Sequence, residues 1–377
     1  MKIRKLINKI HLTLGLLSGS IIIIIAVTGA IFAFEEEIRS LYESDFWYVT
    51  SKSDKKLLSV STLKNIADTE FKKVEQNSEA IQYESIMFYN QPERSYSFIY
   101  YNANPLIYRE IIIDQYSGNV LNNKNYLTDF FFMVLELHRN LLLGSIGKEI
   151  IDYASLIFLL MLISGIYLWW PRNENNKRKR FKIKFNVNPK RTNYDLHNVL
   201  GFYASWIAVI VVLTGFSWAF SWFNPTVDWI ANGGEISPLH QEFSSDTLNA
   251  ELNQVSVQDY IYYYIKNLDR GIERFLLIYP KTKKGAYTLV SYYSAKTYYE
   301  HEHASFDQYS GKLLDHEKYK NSTTGDKVVS MAYDIHIGKI LGLPGQILVF
   351  LSSLIVASLP ITGFRIWWFR KKKRNNL

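Results

Sequence analysis

The chain has 377 residues, 48% of them hydrophobic, carries a formal net charge of +8 and contains no cysteine. Its length accommodates two or three units of ordinary domain size. Without cysteine there are no structural disulfides, thiolate-held zinc or iron–sulfur clusters, covalently attached haem or thiol catalysis; metal or redox chemistry falls to His, carboxylates, Tyr or a bound organic cofactor.

In chain order, residues 1–34 open with Lys2, Arg4, Lys5 and Lys9 and continue as an apolar run in which His11 is the one ionisable side chain. About 20 such residues span a bilayer, so a first transmembrane helix is expected here, and the run exceeds the apolar core of a cleaved secretory signal. Residues 35–130 are polar and tyrosine-rich. A segment containing His138 follows within residues 131–171, and a second span covers about 150–170. Residues 172–195 form a basic loop, 196–222 a third span and 223–330 a second tyrosine-rich segment. Residues 331–369 hold His336 and a fourth span from about 347, and 370–377 are a basic tail. Every dense basic strip falls on one side of this topology, which puts both termini in the cytoplasm. The basic excess therefore reports membrane orientation; the rest of the chain is net acidic, and no nucleic-acid partner is expected.

The two long segments are expected to be extracytoplasmic α+β domains. Residues 59–71 and 256–267 are predicted as helices opened by Ser59 and Ser256. Strand-like runs follow at 85–89, 95–101 and 108–114, and again at 273–279, 286–293 and 298–306. Each set closes on the same turn, Asp114-Gln-Tyr-Ser-Gly118 and Asp307-Gln-Tyr-Ser-Gly311, with glycine for the positive-φ position.

That recurrence runs along the chain. His11-x-x-x-Gly15 and Thr28-Gly29 return as His197-x-x-x-Gly201 and Thr214-Gly215 at one displacement. His138, Gly144, Gly147, Gly165, Trp169 and Trp170 return as His336, Gly342, Gly345, Gly363, Trp367 and Trp368 at another. The expected fold is thus an α-helical membrane protein of two tandem repeats, each helix, extracytoplasmic domain, helix, related by a pseudo-twofold axis along the membrane normal.

Under that symmetry His11 pairs with His197 and His138 with His336, each pair at equal depth. A single His in a membrane helix is commonly an interhelical hydrogen bond. Four in two related pairs point instead to function, because ionisable groups at membrane depth are costly. Two neutral imidazoles facing each other without thiols suit bis-histidine ligation of a b-type haem, and two such haems would supply redox centres near both faces. Gly15, Gly19, Gly29, Gly165, Gly201, Gly215 and Gly363 either make room for a porphyrin or serve ordinary helix packing. Arg139, Lys148 and Lys339 lie near the outer pair, as propionate partners or as interfacial cations.

Other constellations are weaker. His301-Glu302-His303 puts two imidazoles on one strand face, which fits a metal site but is more simply a solvated face with no third ligand nearby. His240 and His316 fall in expected loops, and Asp152 in an interfacial position. No phosphate-binding loop, dinucleotide fingerprint or zinc-protease motif occurs.

The His-x-x-x-Gly starts of helices one and three, the two Asp-Gln-Tyr-Ser-Gly turns and the His followed by Gly-x-x-Gly before each Trp-Trp helix resemble the PepSY-associated transmembrane helix family over nearly the full chain. The resemblance implies a bacterial inner-membrane ferric-siderophore reductase with two haems, His11, His138, His197 and His336 as iron ligands, and Fe(II) release on the periplasmic side for uptake. It also implies a separate cytoplasmic or membrane electron donor, because no flavin reductase domain is fused to this chain. The alternatives are a PepSY-type binding or regulatory protein, or a transporter of a metal or metal complex, without haem.

Overall fold

The computed structural model describes residues 2–49, 56–75, 81–171, 178–238, 243–247, 256–268 and 271–375. In chain order the elements are α1 (Lys2–Phe32), α2 (Glu35–Tyr42), α3 (Ser44–Trp47), α4 (Val60–Val74), β1 (Tyr83–Tyr89), β2 (Tyr96–Ala103), β3 (Leu106–Ile113), β4 (Val120–Asn125), α5 (Phe130–Asn140) and α6 (Gly144–Trp169). There follow α7 (Pro189–Ala219), α8 (Phe223–Ala231), α9 (Val257–Lys266), β5 (Arg274–Ile278), β6 (Ala286–Tyr292), β7 (His301–Asp307), β8 (Leu313–Glu317), α10 (Thr324–Ser330), α11 (Ala332–His336) and α12 (Gly342–Asn375). These elements form two compact units. One comprises Met1–Glu35, Phe130–Val227 and Ala332–Leu377; the other comprises Glu36–Asp129 and Asp228–Met331.

In the helical unit, α1, α6, α7 and α12 are long and apolar enough to cross a membrane, so this is a multi-pass membrane protein. Each outruns the apolar stretch that announces it, because polar and basic residues extend the helices beyond the hydrocarbon. Helix α1 packs on α6 and α12, and α7 packs on the same two, closing a four-helix ring. Its centre is filled by Ile22, Ala26, Ala154, Leu162, Ala208, Val212, Phe216, Val356 and Ala357. Small residues let these backbones approach, since lipid gives apolar helices little reason to associate beyond packing itself. The final carbonyls of α6 accept from Arg4, at Leu168, and from Arg180, at Trp169, so cations sit where the helix dipole is negative. Of the expected basic loop, residues 172–177 lie outside the described residues.

Helices α5 and α11, which carry His138 and His336, are short elements separate from the spans that follow them. Helix α5 packs on α1 and α11 on α7. Gly147 and Gly345 allow the tight reversals that bring them back: a side chain at either would run into the carbonyl of Asn140 or Gly338, respectively.

The sheet unit departs from the two separate domains expected of residues 35–130 and 223–330. Its eight strands form one antiparallel sheet in the order β4-β3-β2-β1-β5-β6-β7-β8. The join is β1 against β5, with Ile86 opposite Leu277 and Phe88 opposite Phe275. Each half would otherwise expose an edge strand with unpaired N–H and C=O groups, and pairing the two edges satisfies both. The two expected domains are therefore joined here by continuous sheet. Helices α4 and α9 cover one face over a core including Leu63, Phe71, Ile86, Phe98, Ile111, Ile261, Leu277, Leu289 and Phe306. Asp259 of α9 accepts the Ser61 amide of α4 at 3.1 Å and its hydroxyl at 2.5 Å.

Ser59 caps α4 by accepting the Thr62 amide, whereas Ser256 holds the cap position of α9 without such a bond. Strands β4 and β8 were not expected. Both are outer strands of polar sequence, and the alternation that marks a strand comes from burying one face, which an edge need not do. The repeated turns are anchors: Gln115 and Tyr116 donate to the Pro92 carbonyl, and Gln308 and Tyr309 hold the loop at Thr282, Lys283 and Gly285. Burial works against charge on Asp307, but the Ser310 and Asp246 amides and the Ser310 hydroxyl outweigh it, holding this carboxyl below the ordinary range.

Candidate functional site

All four candidate histidines of the spans and their flanks lie in the helical unit, and each leans on a neighbouring helix at a hydroxyl residue followed by glycine. His11 meets Ser164-Gly165 on α6 and His197 meets Thr362-Gly363 on α12. His138 meets Thr28-Gly29 on α1 and His336 meets Thr214-Gly215 on α7. The Nδ1 to hydroxyl oxygen distances are 2.8 Å for His11, 3.0 Å for His197, 3.0 Å for His138 and 3.1 Å for His336. A second contact goes to a backbone carbonyl: Leu359 for His197 at 3.1 Å, Ile25 for His138 at 3.0 Å and Val211 for His336 at 2.9 Å.

These partners decide the tautomer. A hydroxyl has one proton, and here each is donated along its own helix: Ser164 to Met161, Thr28 to Ile24 and Ile25, Thr214 to Ile210 and Val211, Thr362 to Ser358 and Leu359. The hydroxyls therefore accept from the imidazoles, and carbonyls only ever accept. Nδ1 must carry the proton, leaving the lone pair of the neutral ring on Nε2. This is the arrangement that orients a metal-ligating imidazole from behind.

The glycines do two jobs. A Cβ at Gly29, Gly215, Gly363 or Gly165 would lie 3.0, 3.3, 3.2 or 3.4 Å from Cε1 of His138, His336, His197 or His11, so these four make space for the rings. Gly15, Gly19 and Gly201 face Met161, Pro360 and Leu359 instead and serve close helix packing.

His138 and His336 are brought together edge-on, with ring centroids 6.2 Å apart at an interplanar angle of 71°. His11 and His197 line a common cavity of about 600 Å³, together with Gly15, Gly19, Gly165, Gly201 and Gly363. That volume is within the range of cofactor sites, roughly 300–1,000 Å³. Arg4, Lys5 and Arg370 also line it. In the sequence those three cations are topology signals, yet a site signal accompanies them: Arg4, Asn8, His11, Gly15 and Gly19 recur at spacings of three or four, one face of a helix. Of the cations named for the outer pair, Lys148 is held by Asp152 at 2.7 Å and by the Trp218 carbonyl at 3.1 Å, which also accounts for Asp152.

Among the described residues no group of three or more His, Asp or Glu is arranged to hold a metal ion. His301 and His303 share a face of β7, while Glu302 points into the opposite side, bonded to Tyr293 and to Nε2 of His316. His316 lies on β8 and not in a loop; His240 lies outside the described residues.

A membrane unit of four apolar helices with paired, rear-braced imidazoles, carried with an open antiparallel sheet, defines the class. The chain belongs to the PepSY-associated TM region family, whose model matches residues 8–370. No curated protein matches the sequence.

Proposed function

We propose that this protein is a di-haem electron carrier of the bacterial inner membrane that reduces ferric siderophores or other ferric chelates on the extracytoplasmic side, releasing Fe(II) for uptake. In this reading the chain is a tandem duplication about an axis along the membrane normal, both termini are cytoplasmic, and a separate donor supplies the electrons. The observation that carries it is the common bracing of His11, His138, His197 and His336, each presenting an Nε2 lone pair with Nδ1 tied down behind it.

The residues fit the group. His138 and His336, with ring centroids 6.2 Å apart and Nδ1 of each tied to its neighbouring helix, would hold one haem. His11 and His197 would hold the second haem in the cavity, where Arg4, Lys5 and Arg370 supply cations for its carboxylates. Bound haem contributes a one-electron iron couple. The Ser and Thr hydroxyls hold each ring in the ligating tautomer, the glycines admit it against the helix, and the apolar bundle excludes water. Reduction suits release, because siderophore oxygens are hard ligands matched to Fe(III) and hold Fe(II) far less tightly; each ferric ion takes one electron and leaves as Fe(II).

The test begins with colour: purified protein should show a Soret band and a dithionite-sensitive α-band. Anaerobically prereduced protein is then mixed with ferrioxamine-type and citrate-type complexes and a ferrous trap. Reoxidation with trapped Fe(II), lost in His336→Ala, supports the proposal. Colourless folded protein defeats the haem, and coloured protein indifferent to every ferric chelate but reoxidised by another acceptor defeats the iron substrate.

A further inference from the structure

The imidazole pair on β7 lies outside the helical unit and plays no part in the function proposed above. His301 and His303 point to the sheet face opposite α4 and α9, and their ring centroids are 4.8 Å apart at 85°. Nδ1 of His301 donates to the Tyr298 carbonyl at 2.8 Å, so its lone pair is on Nε2. The β7–β8 register sets Glu317 opposite His303 and Asp315 opposite Ser305, placing two carboxylates on the same face as the imidazoles. Against them stands Arg274, whose guanidinium is stacked 4.3 Å from the Tyr292 ring and 4.1 Å from the Tyr298 ring and bonded to the carbonyls of Ala295 and Thr297. Its charge is thus held inward, with 3% of the residue exposed.

We propose that His301 and His303 form a two-imidazole site for a divalent first-row transition-metal ion. Two neighbouring ligands at about 2.0–2.1 Å, subtending 90–110° at the metal, place the ring centres roughly 4.4–5.2 Å apart, with about 1.1 Å from nitrogen to centre. The observed 4.8 Å falls inside that interval. Imidazole nitrogen suits Cu(II), Ni(II) and Zn(II). With no three-ligand group among the described residues, the ion keeps water or the ligands it arrives with at its other positions.

The experiment titrates Cu(II) into the purified, untagged, full-length protein, haem content as isolated, by equilibrium dialysis and electron paramagnetic resonance. Wild type should bind one Cu(II) per chain at this site, with superhyperfine splitting from two nitrogens. His301→Gln and His303→Gln should each weaken binding at least tenfold, with visible and circular dichroism spectra unchanged; His316→Gln should bind as wild type. Absence of the two-nitrogen spectrum from wild type overturns the proposal without reference to any variant. Equal binding in wild type and the His301→Gln/His303→Gln double variant also overturns it. The haem bands report separately on the function proposed above, so a colourless protein that binds Cu(II) here separates the two.

Discussion

His138 and His336 meet edge-on with ring centres 6.2 Å apart, whereas His11 and His197 stand on the wall of a cavity of about 600 Å³. Behind the rings the chemistry is the same: a Ser or Thr accepts from Nδ1 and the next residue is glycine. Tautomer and orientation are therefore local properties of a two-residue step on one helix, while the space in front of the rings is a property of the whole bundle. The surroundings differ accordingly. Trp218 lies edge-on to His336 with centroids 5.6 Å apart, and the cavity at His11 and His197 carries Arg4, Lys5 and Arg370.

The largest expected effect breaks one pair and spares the other. On the di-haem proposal, His197→Ala should remove about half of the haem and leave the His138–His336 site filled, and His336→Ala should do the reverse, measured as pyridine haemochrome per protein. Loss of no haem, or of all of it, in both variants would refute the pairing. A smaller effect tests the shared bracing. Thr362→Val and Thr28→Val remove the hydroxyl acceptors but leave the carbonyls of Leu359 and Ile25 in place. Loss of such a supporting partner costs roughly 10–100-fold in metal affinity, and the retained carbonyl puts these variants at the low end. Haem transfer to apomyoglobin should be about tenfold faster from the affected site, with the other site unchanged.

Glycine substitutions sharpen the contrast further. An added Cβ meets Cε1 of His138 at 3.0 Å in Gly29→Ala but Cε1 of His11 at 3.4 Å in Gly165→Ala. Overpacking costs about 1–3 kcal/mol where nothing can yield, against about 1 kcal/mol gained in helix propensity. Gly29→Ala should lower thermal stability and disturb the outer site, and Gly165→Ala should be near neutral; the opposite ranking by calorimetry and visible spectrum would contradict the contact geometry.

The smallest effect belongs to the sheet unit, which serves as a control. The folded-state pKa of Asp307 lies below its unfolded value, so its contribution is complete above the ordinary carboxylate pKa, about 3.9, and is lost as pH falls through the lower folded value. Asp307→Asn should flatten the stability profile below about pH 4 without altering the visible spectrum; an unchanged acid limb in circular dichroism melts would remove the assignment.

Much of the molecule was legible because its signals are local. Apolar runs announce α1, α6, α7 and α12 from composition alone, Ser59 announces its helix, and the recurrence of His11, Thr28-Gly29 and His138 marks those residues before any contact is known. Other signals were visible without their meaning: Thr28-Gly29 recurred as Thr214-Gly215, but nothing contiguous says that a histidine more than a hundred residues away, at 138 or 336, leans on it. Polar strands β4 and β8 were invisible, since an outer strand is not obliged to alternate. Local periodicity and propensity, written in neighbouring residues, determined the spans and most helices and strands. Tertiary structure decided that β1 and β5 merge two expected domains into one sheet, which rings meet at 6.2 Å and which stand around a cavity, and where each Nδ1 proton goes. Those outcomes depend on how closely distant backbones approach and on which buried donor finds an acceptor, quantities that exist only once the helices and strands are packed.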